Sequence, residues 1–593
     1  MTKGVSMSGV MVEQTQNKAL TRDYLLTALS NEGHLSLESV NLAQSQSLPK
    51  SQSTLHWFAS LALTHDKQQQ LILDMPWLLQ WLSNHTGLTY YPINPLKVKP
   101  SQITKVMSHG FAKKHKILAV EVDENHVKVA TADPFDQRWL ANLEHILNQS
   151  IEVVIADPDD ILRFIDEFYT LAQSVVGANQ GVESTQQGIE AFMELGSLTS
   201  DTSDQHIVTI VDWLFQYAFD QRASDIHIEP RKQQGFVRFR IDGVLHHIYD
   251  MPMKVLLAVV SRIKTLGRMN IAEKRKPQDG RLKTKTPQGV EIDLRLSTIP
   301  TAFGEKLVLR IFDPEVLLKS FHELGFSSQE SQQWGKMTQQ NGGIILVTGP
   351  TGSGKTTTLY STLRQLAQPE VNVCTIEDPI EMIEDKFNQM QVHPSIGLNF
   401  ADGVKALLRQ DPDIIMIGEI RDSETAQMAV QAALTGHLVI STLHTNDAPS
   451  AITRLIEIGL PSYLIKATLI GVMAQRLVRV LCSQCKVPAE ISIADWSALT
   501  APFKLAHPEV IFKPMGCLQC RNTGFQGRVG IYEILSTDSQ FNVMIDEQLD
   551  LNHMKKNVIQ KGMKTLRLSG ALKVIAGTTS VEEVLRVAPP PFN

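Results

Sequence analysis

The run "VTGPTGSGKTTTLY", residues 347–360, holds the residue types that cradle phosphate. Gly349, Gly354, Lys355 and Thr356 fit the spacing G-x-x-x-x-G-K-[ST]. The glycines let the backbone turn its N–H groups onto the phosphates, and the start of a helix adds partial positive charge there. Lys355 is expected to reach the β- and γ-phosphates and the Thr356 hydroxyl to ligate Mg²⁺. Gly349, Pro350, Thr351, Gly352, Ser353, Gly354, Lys355, Thr356 and Thr357 together make the nucleotide-binding set.

Further chemistry lies beyond this loop. "DPDIIMIGEIRD" reads as an apolar strand, Ile414 to Ile417, that delivers Glu419 and Arg421 at its end. A carboxylate there can hold Mg²⁺ through water or orient a nucleophile. "CTIEDPIE" supplies Glu377, Asp378 and Glu381 after another apolar strand, and "TGHLVISTLHTND" sets His437 and His444 around a third. Each alone is a weak signal, because acidic residues after strands are often caps and histidines more often pack than act. Three such segments in succession after one phosphate loop reinforce one another.

Four of the five cysteines form two C-x-x-C pairs, Cys482/Cys485 in "LCSQCK" and Cys517/Cys520 in "GCLQCRNTG". Each pair supplies two thiolates from one tight turn, so the four read as a tetrahedral Zn²⁺ site, structural because no coordination position is left open. A redox pair or two disulfides is the competing reading. Cys374 reads as a small buried strand residue.

The elements that position these groups come from the pattern around them. "GGIILV" before the loop reads as a buried strand, and "TTTLYSTLRQLAQ" after it has helical spacing and no breaker. With 593 residues, 43% hydrophobic and 20% charged, the chain has the composition of a multidomain protein with ample core. A net charge of −6 advertises no nucleic-acid surface. We find no signal-peptide core at the start and no uncharged apolar run of about 18 residues, so any membrane role is expected through partners. Residues 172–205 lack Lys and Arg and are rich in Gln, Ser, Thr and Gly, the composition of a flexible tether.

These segments resemble the secretion ATPase superfamily of type II secretion and type IV pilus assembly. "GPTGSGKTTTLY", "TIEDPIE", "RQDPDIIMIGEIRD" and "TGHLVISTLHTND" are similar to its Walker A, Asp-box, Walker B and His-box motifs. "SDIHIEP", "VRFRIDG", "IAEKRKPQDGRL" and "RLSTIPTAFGEKLVLRIF" resemble the domain that precedes them, and the likeness runs from about 206 to 536. The resemblance implies an α/β multidomain fold: a RecA-like P-loop ATPase core, a preceding α/β (PAS-like) domain, N-terminal docking domains and the tetracysteine zinc module. The expected boundaries are 1–84 (helical module), 85–171 (docking domain), 172–205 (linker), 206–322 (arginine-supplying domain), 323–475 (ATPase domain), 476–536 (zinc module) and 537–593 (helical region).

Residue by residue, the resemblance makes Glu381 the carboxylate that activates water and Glu419 the Walker B carboxylate. His437 and His444 match the His box, and Arg295, Arg310 and Arg409 match arginines that reach the nucleotide. Lys405 departs from the arginine common in relatives. The implied protein is a homohexameric ring, using ATP and Mg²⁺ with structural Zn²⁺. It would act on the cytoplasmic side of the inner membrane through a platform protein, without direct nucleic acid. The tetracysteine module and long N-terminal region place it with the extension and secretion branch, and the extra N-terminal module leans it to pilus assembly. A DNA-uptake or other nucleic-acid translocase, and a non-catalytic nucleotide-binding scaffold, are the alternatives from other classes. Cyclic di-GMP binding is not expected: aligned on Gly33, an Arg-Leu-Gly-type repeat has Tyr24 for its arginine and Leu26 for its glycine.

Overall fold

A computed structural model of the chain describes residues 19–49, 52–95, 98–184, 202–286, 289–312, 319–517, 519–520, 523–546 and 550–592. The chain divides into two compact units, Met1–Phe312 and Asp313–Asn593.

The first unit opens with four helices, Arg22–Asn31, Leu37–Ser45, Thr54–Ser60 and Met75–Thr86. Each begins at a side-chain cap, Thr21, Ser36, Ser53 and Asp74 respectively, which satisfies an otherwise orphaned backbone N–H. Leu25, Leu29, Trp57, Phe58, Leu78 and Leu82 form their shared core. Tyr24, at the position where a cyclic di-GMP repeat would carry arginine, turns its hydroxyl to His85 Nε2 at 2.9 Å. Next comes a three-stranded sheet of Ile117–Val122, His126–Thr131 and Ser150–Ile155, its first pair antiparallel and its second parallel.

The tether expected over 172–205 is helical at both ends. Helix Pro158–Ser184 runs through its first part and helix Thr202–Asp220 begins in its last; residues 185–201 lie outside the described residues. Leu171, Val175 and Ala178 explain the extension, since they recur on one helical face and bury against Ile207, Ile210, Val211 and Leu214. Gly177 permits the close approach: a Cβ there would lie 2.5 Å from His206 Nε2. Composition misled because this apolar stripe is narrow and its other face is polar.

Six antiparallel strands complete the unit in the order Val244–Pro252, Gln234–Ile241, Ala223–Pro230, Gly304–Phe312, Glu291–Thr301 and Gln278–Lys285. Strict alternation gives the central strands one apolar face, with Ile226, Ile228, Val237, Phe239, Leu294, Leu296, Leu307 and Leu309 buried. Helices Thr202–Asp220 and Met253–Leu266 share that core. The opposite face carries the arginines.

In the second unit a seven-stranded sheet runs Asn388–Gln391, Val373–Glu377, Ile414–Ile417, Leu438–Leu443, Gly343–Thr348, Leu469–Leu481 and Phe525–Ser536. Its first six strands are parallel and the last is antiparallel to its neighbour. The four central strands from Val373 to Thr348 are buried at every position and mostly apolar, as in a parallel sheet covered on both faces. The strand of the phosphate loop and the strand of Glu419 are not adjacent; the His-box strand lies between them. That order is the RecA-like arrangement expected from the sequence.

The boundary expected at 475/476 falls inside strand Leu469–Leu481, whose long antiparallel pairing with Phe525–Ser536 makes both strands part of the main sheet. The cysteine region is therefore an excursion from that hairpin, holding strands Val487–Ala489 and Ile511–Lys513 and helix Ile493–Thr500. The helices Leu551–Gln560, Leu566–Ile575 and Val581–Val587 pack on the same core.

Candidate functional site

In a parallel sheet the loops after the strands gather at one edge, and the residues singled out above come after four neighbouring strands. Gly349, Gly352 and Gly354 take φ of 152°, 79° and 87°, a region in which a side chain is strained. Gly349 also has no room: a Cβ there would meet Gln475 O and Ser353 Oγ, each at 2.6 Å. Helix Lys355–Leu366 starts directly after the loop with no side-chain cap, so its first N–H groups remain for a ligand. The Ser353 hydroxyl, 3% exposed, has no hydrogen-bond partner among the described residues. An orphaned buried donor inside a glycine loop fits a phosphate.

Lys355 Nζ turns back onto the loop carbonyls of Gly349 at 2.8 Å and Pro350 at 3.3 Å. Burial pushes its pKa down to about 8, with Glu419 opposing the fall and Arg476 adding to it. Glu419 is itself largely buried and pairs with Arg421 and with His444, whose Nε2 lies 3.6 Å from its carboxylate. Burial and the nearby Lys355 lower the His444 pKa, favouring the neutral ring. Lys355, Glu419, Arg421 and His444 thus share one electrostatic cluster.

Hydrogen bonds between neighbouring strand ends fix this cluster. Thr442 Oγ1 donates to Gly418 O at 2.7 Å, and Ile420 N–H donates to Thr442 O at 3.0 Å. The Thr348 hydroxyl accepts the Thr445 N–H at 2.8 Å, tying the end of the phosphate-loop strand to the His box.

Glu381 lies after strand Val373–Glu377, which ends at the same edge. Its loop is held by Glu377, which is buried and fully engaged. Glu377 Oε1 accepts from Thr375 Oγ1 at 2.8 Å and Gln389 Nε2 at 3.2 Å. Oε2 accepts from Tyr360 at 2.7 Å and from the Glu381 N–H at 3.4 Å. A carboxylate with this many donors is an anchor for the loop that carries Glu381.

Two expected nucleotide residues are not brought here within the chain. His437 precedes strand Leu438–Leu443, so the whole strand, about 20 Å at 3.3 Å per residue, separates it from His444. Its ring is held by Ala432 O at 2.9 Å and Thr435 Oγ1 at 3.0 Å. Arg409 is exposed and its Nη1 donates to Lys405 O at 2.9 Å. The next two residues accept hydrogen bonds from Asn372, which precedes a strand, so Arg409 also lies at the far edge of the sheet. The motif likeness does not reveal this, because a strand inside a motif puts its two ends on opposite edges.

Arg295 and Arg310 belong to the first unit, on the exposed face of its six-stranded sheet. Register places Arg281, Arg295, Arg310, Asp225 and Arg240 side by side across five strands. Asp225 pairs with Arg310 at 3.1 Å and Arg240 at 3.4 Å, Arg281 Nε donates to Asp293 at 2.6 Å, and the Arg295 guanidinium lies 4.4 Å from the centre of the Phe312 ring. Like charges directly opposite one another destabilise a sheet, so four arginines beside the two aspartates Asp225 and Asp293 form an arrangement suited to a polyanion. Sequence reading missed Arg281 and Arg240, because only strand register shows that they align.

At the cysteine tip the four sulfurs lie within 4.8 Å of one another, with Cys482–Cys517 at 3.7 Å, Cys485–Cys520 at 3.6 Å and Cys517–Cys520 at 3.7 Å. Metal–thiolate bonds of about 2.3 Å in a tetrahedron put sulfurs about 3.8 Å apart. The N–H groups of Gly516, Cys517 and Gly524 point at the sulfurs of Cys485, Cys520 and Cys520 at 3.1–3.3 Å, as thiolates require. The set fits one tetrahedral metal ion. Cys374 is a fully buried strand residue.

Among the described residues no helix is long and apolar enough to cross a membrane. Comparison with known proteins agrees with the arrangement above. Residues 86–175 match the MshEN domain. Over 582 residues the chain is 52% identical to the type IV pilus assembly ATPase TfpB of Acinetobacter baylyi, covering 97% of this chain and all of that protein. It is 39% identical over 516 residues to the type IV pilus assembly ATPase PilB of Myxococcus xanthus (86% and 90% covered) and 37% identical over 511 residues to the type II secretion system ATPase E of Vibrio cholerae (86% and 94%). The type II/IV secretion system protein family matches residues 200–586, spanning the arginine-bearing sheet, the phosphate loop and the cysteine tip, and the chain belongs to that family.

Proposed function

We propose that the chain is a Mg²⁺-dependent ATPase that works as a homohexameric motor on the cytoplasmic face of an inner-membrane platform, driving type IV pilus assembly. The observation that carries the ATPase reading is the convergence of Lys355, Glu419 and His444 beside a glycine loop with a buried, unpartnered serine hydroxyl. The loop N–H groups and Lys355 bind the phosphates, Glu419 and the Thr356 hydroxyl hold the metal, and Glu381 orients and deprotonates the attacking water. Mg²⁺, when bound, would supply positive charge against that developing on the phosphates. Pilus assembly is favoured over secretion because the pilus ATPase of Acinetobacter is similar over 97% of this chain, more than the 86% covered by the secretion ATPase of Vibrio.

Glu381→Gln tests the assignment of the base. It is expected to bind ATP normally and to lose about 10²–10⁴-fold in turnover. Near-normal turnover would move the base to Glu419. Added single-stranded DNA is expected to leave turnover unchanged; stimulation would favour a nucleic-acid translocase. Pull-down with cytoplasmic fragments of pilus and secretion platform proteins decides the host machine.

The cysteine tip is a structural or partner-facing Zn²⁺ module on this reading. Elemental analysis of protein purified without chelator is expected to give one Zn²⁺ per chain. Cys517→Ser should lose the ion and the protease resistance of residues 482–524. Protein free of metal yet fully ordered would refute a structural zinc.

A further inference from the structure

Strand Leu469–Leu481 lies beside the phosphate-loop strand and carries two buried polar residues that no motif reading singled out. Gln475 is 2% exposed and Arg476 5%. Thr358, one turn into the helix after the loop, donates its hydroxyl to Gln475 Oε1 at 2.9 Å. Gln475 Nε2 lies 2.8 Å from where a Cβ on Gly354 would stand, and its carbonyl oxygen lies 2.6 Å from the same point on Gly349. Gln475 therefore supports both ends of the loop.

Arg476 is the stronger observation. Its Nη1 donates to Gln475 O at 2.9 Å, and its Nη2 donates to Asn446 O at 2.8 Å, in the segment just after His444. Nη1 is also 3.0 Å from a Cβ placed on Gly349. Among the described residues it makes no ion pair; Glu533 and Asp447 act on it only from farther away. A guanidinium this buried, held by carbonyls alone, is expensive to fold around. Its planar fork suits two fixed acceptors, and its charge reaches Lys355 across the loop. A cation kept there without a carboxylate implies an anion supplied from elsewhere.

We propose that Arg476, braced by Gln475, is a positioning residue for the phosphate loop: it fastens Gly349 to the segment after the His box and holds fixed positive charge behind the bound phosphates. This rests on the reading of the loop as an ATP site. It predicts that the loop and His444 keep one geometry during turnover, so Arg476 affects binding through its charge and turnover through its fork.

The test uses the full-length protein with Arg476→Gln and Arg476→Lys, measuring binding of a non-hydrolysable ATP analogue by calorimetry, kcat and KM for ATP, and thermal melting. Arg476→Gln is expected to bind the analogue about tenfold more weakly and to lose kcat as well. Arg476→Lys keeps the charge, so it should recover most of the binding while kcat stays at least tenfold low. A residue that only supports the fold would lose binding and kcat together in both variants, in step with the melting temperature, and that result would overturn the proposal. If Arg476→Gln fails to fold, Arg476→Lys carries the test alone through its split between binding and kcat. Adding Arg476→Gln to Lys355→Ala should cost less than about twofold further in binding, since both act on one loop; a full additional tenfold loss counts against the proposal. Absence of analogue binding by the wild-type chain would instead remove the ATP reading itself.

Discussion

Lys355→Ala is expected to bring Mg²⁺-dependent ATP turnover to background, a loss of at least about 10²–10³-fold, the scale found when one preorganised donor is removed from a site of developing charge. The lysine ends in a partly desolvated loop where its ammonium touches only the carbonyls of Gly349 and Pro350. No carboxylate touches this ammonium among the described residues, and burial pushes its pKa down to about 8, so the charge is held at a cost in the ligand-free protein. On the proposed reading a nucleotide phosphate replaces the carbonyls with a full counter-charge. The substitution therefore removes an interaction realised with ATP while relieving the ligand-free fold, and the variant should melt no lower than wild type. Phosphate-release kinetics and calorimetric melting check both halves. Retained turnover would remove Lys355 from the site; a melting temperature many degrees lower would mean that the lysine supports the fold and that lost activity says little.

The parts of this site that were legible in the sequence are those whose chemistry is local. A glycine loop, its lysine and the adjoining helix lie within a dozen residues, so spacing alone defines them, and the paired C-x-x-C turns do the same for the metal cluster. Glu419 was legible because a short apolar strand delivers the residues at its C-terminal end to the sheet edge. Spacing could not show the role of partners that arrive from other strands. Glu377 looks as available as Glu381 until Tyr360 and Gln389 are seen to occupy it. His437 and His444 look equivalent until the strand between them assigns each to its own edge of the sheet. Gln475 and Arg476 sit in the largely apolar segment Leu469–Leu481, and no spacing there marks them; only the folded sheet brings them beside the phosphate loop. The helical ends of the expected tether were hidden for a different reason, since a polar-rich composition is compatible with a helix that buries one narrow stripe.

The coupling of hydrolysis to motion is tested by the arginine row. Arg295→Ala and Arg310→Ala are each expected to lower kcat by roughly 10³-fold while changing ATP affinity little, the behaviour of guanidinium groups that engage the γ-phosphate as its charge redistributes. Both occupy the exposed face of the sheet in the first unit, cross-strand from one another, and Arg310 is already aligned by Asp225. A surface ion pair of this kind contributes under about 1 kcal/mol to stability, so neither variant should melt much lower than wild type. The row faces outward and carries more cations than its aspartates balance, a charge excess suited to a polyanion. We propose that hydrolysis, sensed by these arginines, is what a ring of such chains turns into rotation or thrust on the platform. Mixing Lys355→Ala subunits with Arg310→Ala subunits separates two routes. If the arginine serves its own chain, mixed rings remain inactive; if it serves a neighbour, some sites regain both groups and activity returns. Wild-type turnover by Arg295→Ala, by Arg310→Ala and by the double variant would end the coupling scheme while leaving the ATP site itself intact.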